Sequence, residues 1–160
     1  MNGWRNARPE QDLLIEGYAS LFGVEDLAGD VVRAGAFARS LARREMAPML
    51  FQHAAGRVAG RWTTMREDGV GLFVRGLVTG ETQAGRTAQR LIRDGALDGL
   101  SIGFIARDWT PRTVAGRLLR EIDLREVSLV ATPMAPRARF RILGGPAGQP
   151  GSAAASALAA

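Results

Sequence analysis

The stretches GLSIGFIARDW (Gly99–Trp109) and RLLREIDLREVSLVA (Arg117–Ala131) carry most of the information about the fold. Both are long, more than half apolar, and begin at or just after a glycine, which is typical of β-strands. A short turn at Val114–Gly116 separates them. Both stretches are therefore predicted to be strands of one small sheet.

Further strands and two helices are predicted on the N-terminal side of this pair. The helices carry apolar residues at helical spacing, and the strands are bounded by turn residues such as the Asp-Gly step at 68–69. This mixed order predicts an α+β domain built on a small, barrel-like antiparallel sheet. The predicted strands are Asp12–Phe22, Met49–His53, Gly56–Met65 and Val70–Val78, the helices are Ala34–Met46 and Thr79–Asp94, and the segment Gly23–Val32 is a loop.

The chain of 160 residues, 46% of them apolar, has the length and composition of one globular domain. Residues 1–11 are polar and are predicted to be a flexible N-terminus, and residues 12–143 are predicted to form the domain. Residues 144–160 are rich in Gly, Pro, Ala and Ser, too poor in apolar bulk to offset the entropy of ordering, and are predicted to be a disordered tail. No secretory signal is expected from the polar start, and no apolar run reaches the roughly 18 residues that cross a bilayer.

Missing residue types exclude several kinds of chemistry. The chain has no Cys, one His, and no Lys among its 21 basic residues. Cysteine nucleophiles, Ser–Lys dyads and Schiff bases are therefore excluded, and neither a metal nor a cofactor is expected. An enzyme of this composition that needs a base near neutral pH has His53 or an acid of strongly raised pKa.

The charge pattern argues against a nucleic-acid site. The net charge is +5, but the arginines are spread along the chain and mixed with acidic residues. No basic stripe results, and the 6% aromatic content supplies few stacking platforms for single strands. A small arginine-rich nucleic-acid-binding barrel is the less favoured interpretation.

Glu126 is a carboxylate in an apolar setting. In the predicted strand it shares a face with Ile122, Leu124, Ser128 and Val130. A carboxylate on such a face is costly to bury without a hydrogen-bond donor. The structural alternative is that this face is partly open and Glu126 is solvated.

His53 and Ser101 are the other two candidates. His53 follows Met49 and Phe51 at the end of a predicted strand, and Ser101 lies between Gly99 and Gly103. Taken singly, His53 is explained as a core or rim residue and Ser101 as a choice for tight packing. Taken together, they offer a hydroxyl nucleophile and the imidazole that must take its proton, and Glu126 or Asp123 offers the acceptor that orients the imidazole. The hypothesis requires the imidazole to lie within hydrogen-bonding reach of the Ser101 hydroxyl.

The residues resemble the tailed-bacteriophage prohead protease family, the serine peptidases of capsid maturation. The resemblance runs from about Glu16 to Phe140 and depends on several blocks in the same order rather than on any one of them. The blocks are EGYASLFG (Glu16–Gly23), GDVVRAGAF (Gly29–Phe37), PMLFQHAAGRVAGRW (Pro48–Trp62), DGVGLFVRGLV (Asp68–Val78), LDGLSIGF (Leu97–Phe104) and LREVSLVATPMAPRARF (Leu124–Phe140).

The resemblance implies a fold similar to the herpesvirus assemblin barrel, with helices packed outside. It also implies a catalytic set in which His53 is the base, Ser101 the nucleophile and Glu126 the acidic member. Viral relatives of this fold can carry a second histidine at the third position, and this chain has none.

The implied activity is endoproteolysis inside an immature capsid, in the cytoplasm of a bacterial host. The implied substrates are the scaffold, or the scaffold-like N-terminal arm of the major capsid protein, and the protease itself. A homodimer is among the implied partners, and membranes and specific nucleic acids are not. A phage, a prophage and a gene-transfer particle are all compatible sources. The alternative is a capsid-assembly module that kept the fold without the activity.

Stabilisation of the oxyanion formed during such a reaction requires donors, usually backbone N–H groups. The glycine-rich segment Gly56–Gly60, with Arg57 and Arg61, is a candidate. Arg61 has an alternative role as the partner of a structural carboxylate, and that role is favoured.

Overall fold

The computed structural model describes residues 11–144 as eight strands and two short helices. Residues 1–10 and 145–160, and with them most of the predicted flexible terminus and tail, lie outside the described residues. The strands are β1 (Leu13–Leu21), β2 (Val31–Val32), β3 (Met49–Phe51), β4 (Val58–Glu67), β5 (Gly71–Val78), β6 (Gly99–Pro111), β7 (Arg117–Val130) and β8 (Phe140–Gly144), and the helices are α1 (Ala38–Leu41) and α2 (Gln83–Arg93).

All eight strands belong to one sheet, in which β7 is the central element. One edge of β7 pairs with β6, and the other edge pairs in parallel with β2 near its start and with β3 near its end. From β3 the sheet continues antiparallel through β4, β5 and β1 to β8. This is the α+β class that the sequence predicts, but the sheet is mixed rather than antiparallel throughout, because β2 and β3 pair with β7 in parallel.

The strand pairing does not close the sheet into a barrel. Its path runs from β2 to β8, and β6 pairs only with β7 among the strands described. One isolated bridge between Gly99 and Arg139 joins the start of β6 to the chain just before β8. The predicted barrel is therefore not confirmed, although this bridge brings the two sides of the sheet together.

The helices are shorter than predicted. The segment Ala34–Met46 was expected to be one amphipathic helix, and this prediction is wrong because only Ala38–Leu41 is helical. Gly35 adopts a left-handed conformation at φ 88°, and the Phe37 backbone N–H donates to the Glu67 side chain at 2.8 Å instead of joining a longer helix. Helix α2 begins at its Thr82 cap and ends just before Gly95, whose φ of 73° fits the predicted cap.

The hydrophobic core combines residues of the strands with Ala84, Ala88 and Ile92 of α2. The large side chains that are fully buried include Ile15, Phe37, Met49, Leu72, Leu97, Leu100, Leu119, Ile122 and Leu129.

No helix within residues 11–144 has the length and apolar content needed to cross a membrane.

A bulge in β7 changes which of its side chains face the core. Gly103 pairs with Glu126 but Phe104 pairs with Leu124, so Arg125 is an extra residue on β7. Ile122 and Leu124 belong to the core before the bulge, and Val127 and Leu129 belong to it afterwards. The prediction that Glu126 shares a face with Ile122 and Leu124 is therefore wrong.

Candidate active site

Glu126 and Ser128 project from the face of β7 that is turned away from the core. They alternate with the core residues Val127 and Leu129 and lie opposite Gly103 and Ser101 on β6. Directly paired residues of antiparallel strands have their side chains on the same face, with Cβ atoms about 5 Å apart. The bulge thus creates a polar strip on the outer face that includes the predicted nucleophile and the predicted acid.

His53 reaches this strip from the loop that follows β3. The predicted strand Met49–His53 ends at Phe51, and both Gln52 and His53 adopt left-handed backbone, with φ of 52° and 59°. The turn directs the chain over the end of β7, where the Gln52 N–H donates to the Leu129 carbonyl at 2.9 Å. The imidazole is 45% exposed, so this loop forms the accessible edge of the site.

The imidazole is hydrogen-bonded to the predicted acid. Nδ1 of His53 contacts Oε1 of Glu126, whose side chain is 13% exposed. A carboxylate is an acceptor only, so the bond places the proton of a neutral imidazole on Nδ1 and leaves the Nε2 lone pair free. A general base that accepts a proton at Nε2 needs this tautomer.

Ser101 is buried beside this pair, with 6% of its surface exposed. Its hydroxyl makes no hydrogen bond to any side chain or backbone group within the described part of the chain, so the expected bond to His53 is not formed. The serine lines a small cavity between β6 and β1, with Leu21, Ile102 and Met134 among its walls. Because Ser101 pairs with Ser128, its side chain lies on the same sheet face as Glu126, but it makes no bond to the histidine–glutamate pair.

Asp123, the alternative acidic member, lies in a different environment. It is held by Arg43 and by Arg107 at 2.7 Å and Arg125 at 2.9 Å, and no bond joins it to His53 in residues 11–144. Hydrogen bonds from Arg107 and Arg43 lower the pKa of Asp123 to about 2. The structure thus brings Glu126, and not Asp123, to the imidazole.

Ser128 is a component of the site that the sequence analysis did not single out. Its side chain is fully buried, donates to Oε2 of Glu126 and accepts the backbone N–H of His53 at 3.2 Å. The available signal was its spacing, because residues two apart on a strand share a face and Glu126 was already a candidate.

In the candidate oxyanion segment Gly56–Gly60, one backbone donor is already engaged. The Arg57 N–H is used within its own turn, bonding the Ala54 carbonyl at 3.0 Å. Arg61 lies 3.6 Å from Asp12, which is the structural role favoured from the sequence.

Among residues 11–144 there is no group of three or more His, Cys, Asp or Glu side chains able to hold a metal ion.

A hydroxyl, an imidazole and a carboxylate on one sheet face form the side-chain set of a serine hydrolase. The chain belongs to the family described as Caudovirus prohead serine protease, which it matches over residues 4–144. The prohead protease of Enterobacteria phage HK97 is 34% identical over 124 residues, which are 75% of this chain and 55% of that protein. The chain thus spans about half the length of this curated relative.

Solved structures show the same fold at low sequence identity. The KSHV protease, determined in complex with a hexapeptide phosphonate inhibitor, matches with a TM-score of 0.59 and 18% identity. The match covers 81% of this chain and 64% of the KSHV protease chain. The varicella-zoster virus protease matches with a TM-score of 0.53 and 16% identity, over 82% of this chain and 64% of the viral protease chain. The chain therefore has a herpesvirus-protease-like fold made mostly of strands.

Proposed function

We propose that this chain is a serine endopeptidase of capsid maturation, with Ser101 as nucleophile, His53 as general base and acid, and Glu126 as the residue that orients His53. The observation that carries the proposal is the bond between His53 Nδ1 and Glu126 on the sheet face from which Ser101 projects. Membership of the prohead protease family supports the same activity.

The proposed reaction is acyl transfer in two stages. The Ser101 oxygen attacks the peptide carbonyl carbon while Nε2 of His53 takes the hydroxyl proton. The C–N bond then breaks, and the imidazolium gives its proton to the leaving amine. A water molecule, deprotonated by the same imidazole, hydrolyses the ester to release the acid and restore the hydroxyl. Glu126 accepts the hydrogen bond from Nδ1–H throughout, without taking the proton, and stabilises the imidazolium.

Substrate binding is expected to complete the bond between serine and histidine. Catalytic hydrogen bonds are often absent or long without substrate and form in the Michaelis complex. The Ser101 hydroxyl has no competing partner in the described chain, so its rotation toward the imidazole breaks no existing bond.

The proposed substrates are the scaffold or the scaffold-like N-terminal arm of the major capsid protein, cut inside the procapsid in the host cytoplasm. Self-cleavage within the segment 144–160 is part of the same proposal. A homodimer is a further proposal, and no membrane or specific nucleic-acid partner is proposed.

The direct test is labelling with a serine-directed phosphonate, followed by peptide mapping. The wild type is expected to carry the label on Ser101, and Ser101→Ala and His53→Ala are expected to lose it together with cleavage of co-expressed capsid protein. Loss of a triad member lowers the rate on the order of 10⁴-fold or more. Ser40→Ala, which removes another buried hydroxyl, is the control that keeps both. Normal cleavage by Ser101→Ala would refute the assignment.

The competing function is a capsid-assembly module without activity. One observation favours it, namely that Ser101 and His53 are not hydrogen-bonded among the described residues. Such a module would bind capsid protein, take no label and leave the capsid protein intact. The same experiment therefore decides between the two functions.

A further inference from the structure

We propose that Ser128 is a positioning residue of this site. Its hydroxyl joins the Glu126 carboxylate to the backbone of His53, and this link keeps the imidazole in one orientation and one tautomer. The inference rests on the proposed function, because it explains how the same three side chains are held in place.

The first argument is that one hydroxyl serves two members of the site. Ser128 donates its proton to Oε2 of Glu126 and accepts the N–H of His53 at 3.2 Å. It is fully buried, so water does not compete for these bonds. It also lies directly opposite Ser101 in the ladder, so the link passes beside the predicted nucleophile.

The second argument concerns the backbone of the histidine loop. Residues with a Cβ rarely adopt left-handed backbone, and Gln52 and His53 do so in succession. Such a conformation persists only where neighbours hold it. The turn closes on its own Ala54 N–H to Phe51 carbonyl bond at 3.1 Å. Three further bonds anchor it to β7 and the residue after it: Gln52 N–H to the Leu129 carbonyl, His53 N–H to Ser128, and Ala131 N–H to the Gln52 side chain at 3.3 Å.

The third argument concerns the carboxylate. Each oxygen of Glu126 has its own partner, Oε1 the imidazole and Oε2 the Ser128 hydroxyl. The second bond prevents the carboxylate from rotating away from Nδ1. Without it, Glu126 can turn toward solvent, and the imidazole loses the acceptor that selects its tautomer.

The experiment compares Ser128→Ala with the wild type and with Ser40→Ala. Ser40 is a matched control, since its buried hydroxyl also donates one bond, to the Ile122 carbonyl, and accepts one, from the Leu124 N–H. Because His53 is the only histidine, ¹⁵N chemical shifts of its ring report the tautomer without interference, at a pH where the imidazole is neutral. Cleavage of a capsid-derived peptide gives kcat and KM.

We expect the wild type and Ser40→Ala to show mainly the Nδ1–H form, and Ser128→Ala to show a mixture of tautomers. For Ser128→Ala we expect kcat to fall by as much as about 100-fold with little change in KM, because a misplaced catalytic group slows the reaction rather than weakening substrate binding. Ser128→Cys keeps a side chain of similar volume but forms only weak hydrogen bonds. Its kcat is expected to lie between those of the wild type and Ser128→Ala, and it replaces the alanine variant if that variant fails to fold.

The inference is overturned if both Ser128 variants keep the wild-type tautomer and kcat while losing stability as Ser40→Ala does. That result would make Ser128 a structural residue only. Failure of the proposed function would look different: the wild type would take no phosphonate label and cut no peptide, while the ring shifts would still respond to Ser128.

Discussion

Gly103 lies directly opposite Glu126 in the β6–β7 ladder, and the Glu126 carboxylate occupies the space where a Cβ at position 103 would stand. The second glycine of the GLSIGF block, Gly103, is therefore needed because a side chain at this position would collide with Glu126. It lets the carboxylate come close to β6, the strand that carries Ser101, while Oε1 contacts the imidazole. Any larger residue at position 103 must displace Glu126.

Gly103→Ala is predicted to lower peptidase activity by about 100-fold while the chain still folds, because a displacement of about 1 Å in a catalytic group has an effect of that size. The measurement is the rate of phosphonate labelling at Ser101, with circular dichroism as the check on folding. Gly69→Ala is the control, since nothing lies within 4 Å of a Cβ at that position. Equal labelling rates in the two variants would show that Glu126 does not need its observed place.

Replacing each acidic candidate by its amide is predicted to have opposite effects: the change at Glu126 lowers activity, and the change at Asp123 lowers stability. Glu126→Gln is expected to lower kcat about 10⁴-fold with little change in stability, because an amide cannot hold the required tautomer in the same way. Asp123→Asn is expected to keep most of the activity but to fold less stably, because it leaves Arg43, Arg107 and Arg125 around a neutral side chain. Peptide cleavage and urea unfolding of both variants make the comparison, and an inactive but stable Asp123→Asn would reverse the assignment.

The same aspartate is predicted to contribute to the acid sensitivity of the fold. Its pKa is lowered from 3.8 to about 2, chiefly by Arg107 and then Arg43. Because the folded value lies below the unfolded one, this contribution is fully present above pH about 4 and is lost as the pH falls toward 2. The difference in urea midpoint between wild type and Asp123→Asn should therefore shrink across that window. A difference that stays constant with pH would mean that the arginine contacts do not lower this pKa.

The sequence predicted most of the strands because their local signals agree with the fold. It did not predict β8, a short segment that becomes a strand only by pairing with β1. It also missed β2, since Gly23–Val32 was predicted to be a loop and its last two residues pair with β7. It also predicted too long a first helix, since the apolar spacing of Phe37 and Leu41 says nothing of Glu67, which bonds the Phe37 backbone. In each case a long-range partner decided the structure.

For the site, the sequence indicated which residue types were available, but not where they face. An alternating pattern continued through β7 puts Glu126 on the core side, and the bulge at Arg125 moves it to the other face. A bulge has no reliable signal in a single sequence. The left-handed turn at Gln52 and His53 was equally hidden, because both residues usually avoid that conformation.

The last prediction concerns the left-handed backbone of His53. It separates the free-energy cost of this backbone conformation from the catalytic role of the imidazole. At φ 59° a glycine is more favourable than any residue with a Cβ, and part of that gain is offset by the greater freedom of glycine in the unfolded chain. His53→Gly is therefore expected to be more stable than His53→Ala by about 1 kcal/mol, with both variants inactive. Ala54→Gly, at a residue without positive φ, should be destabilising instead. Urea unfolding measures all three, and a less stable His53→Gly would mean that the left-handed turn is not retained in solution.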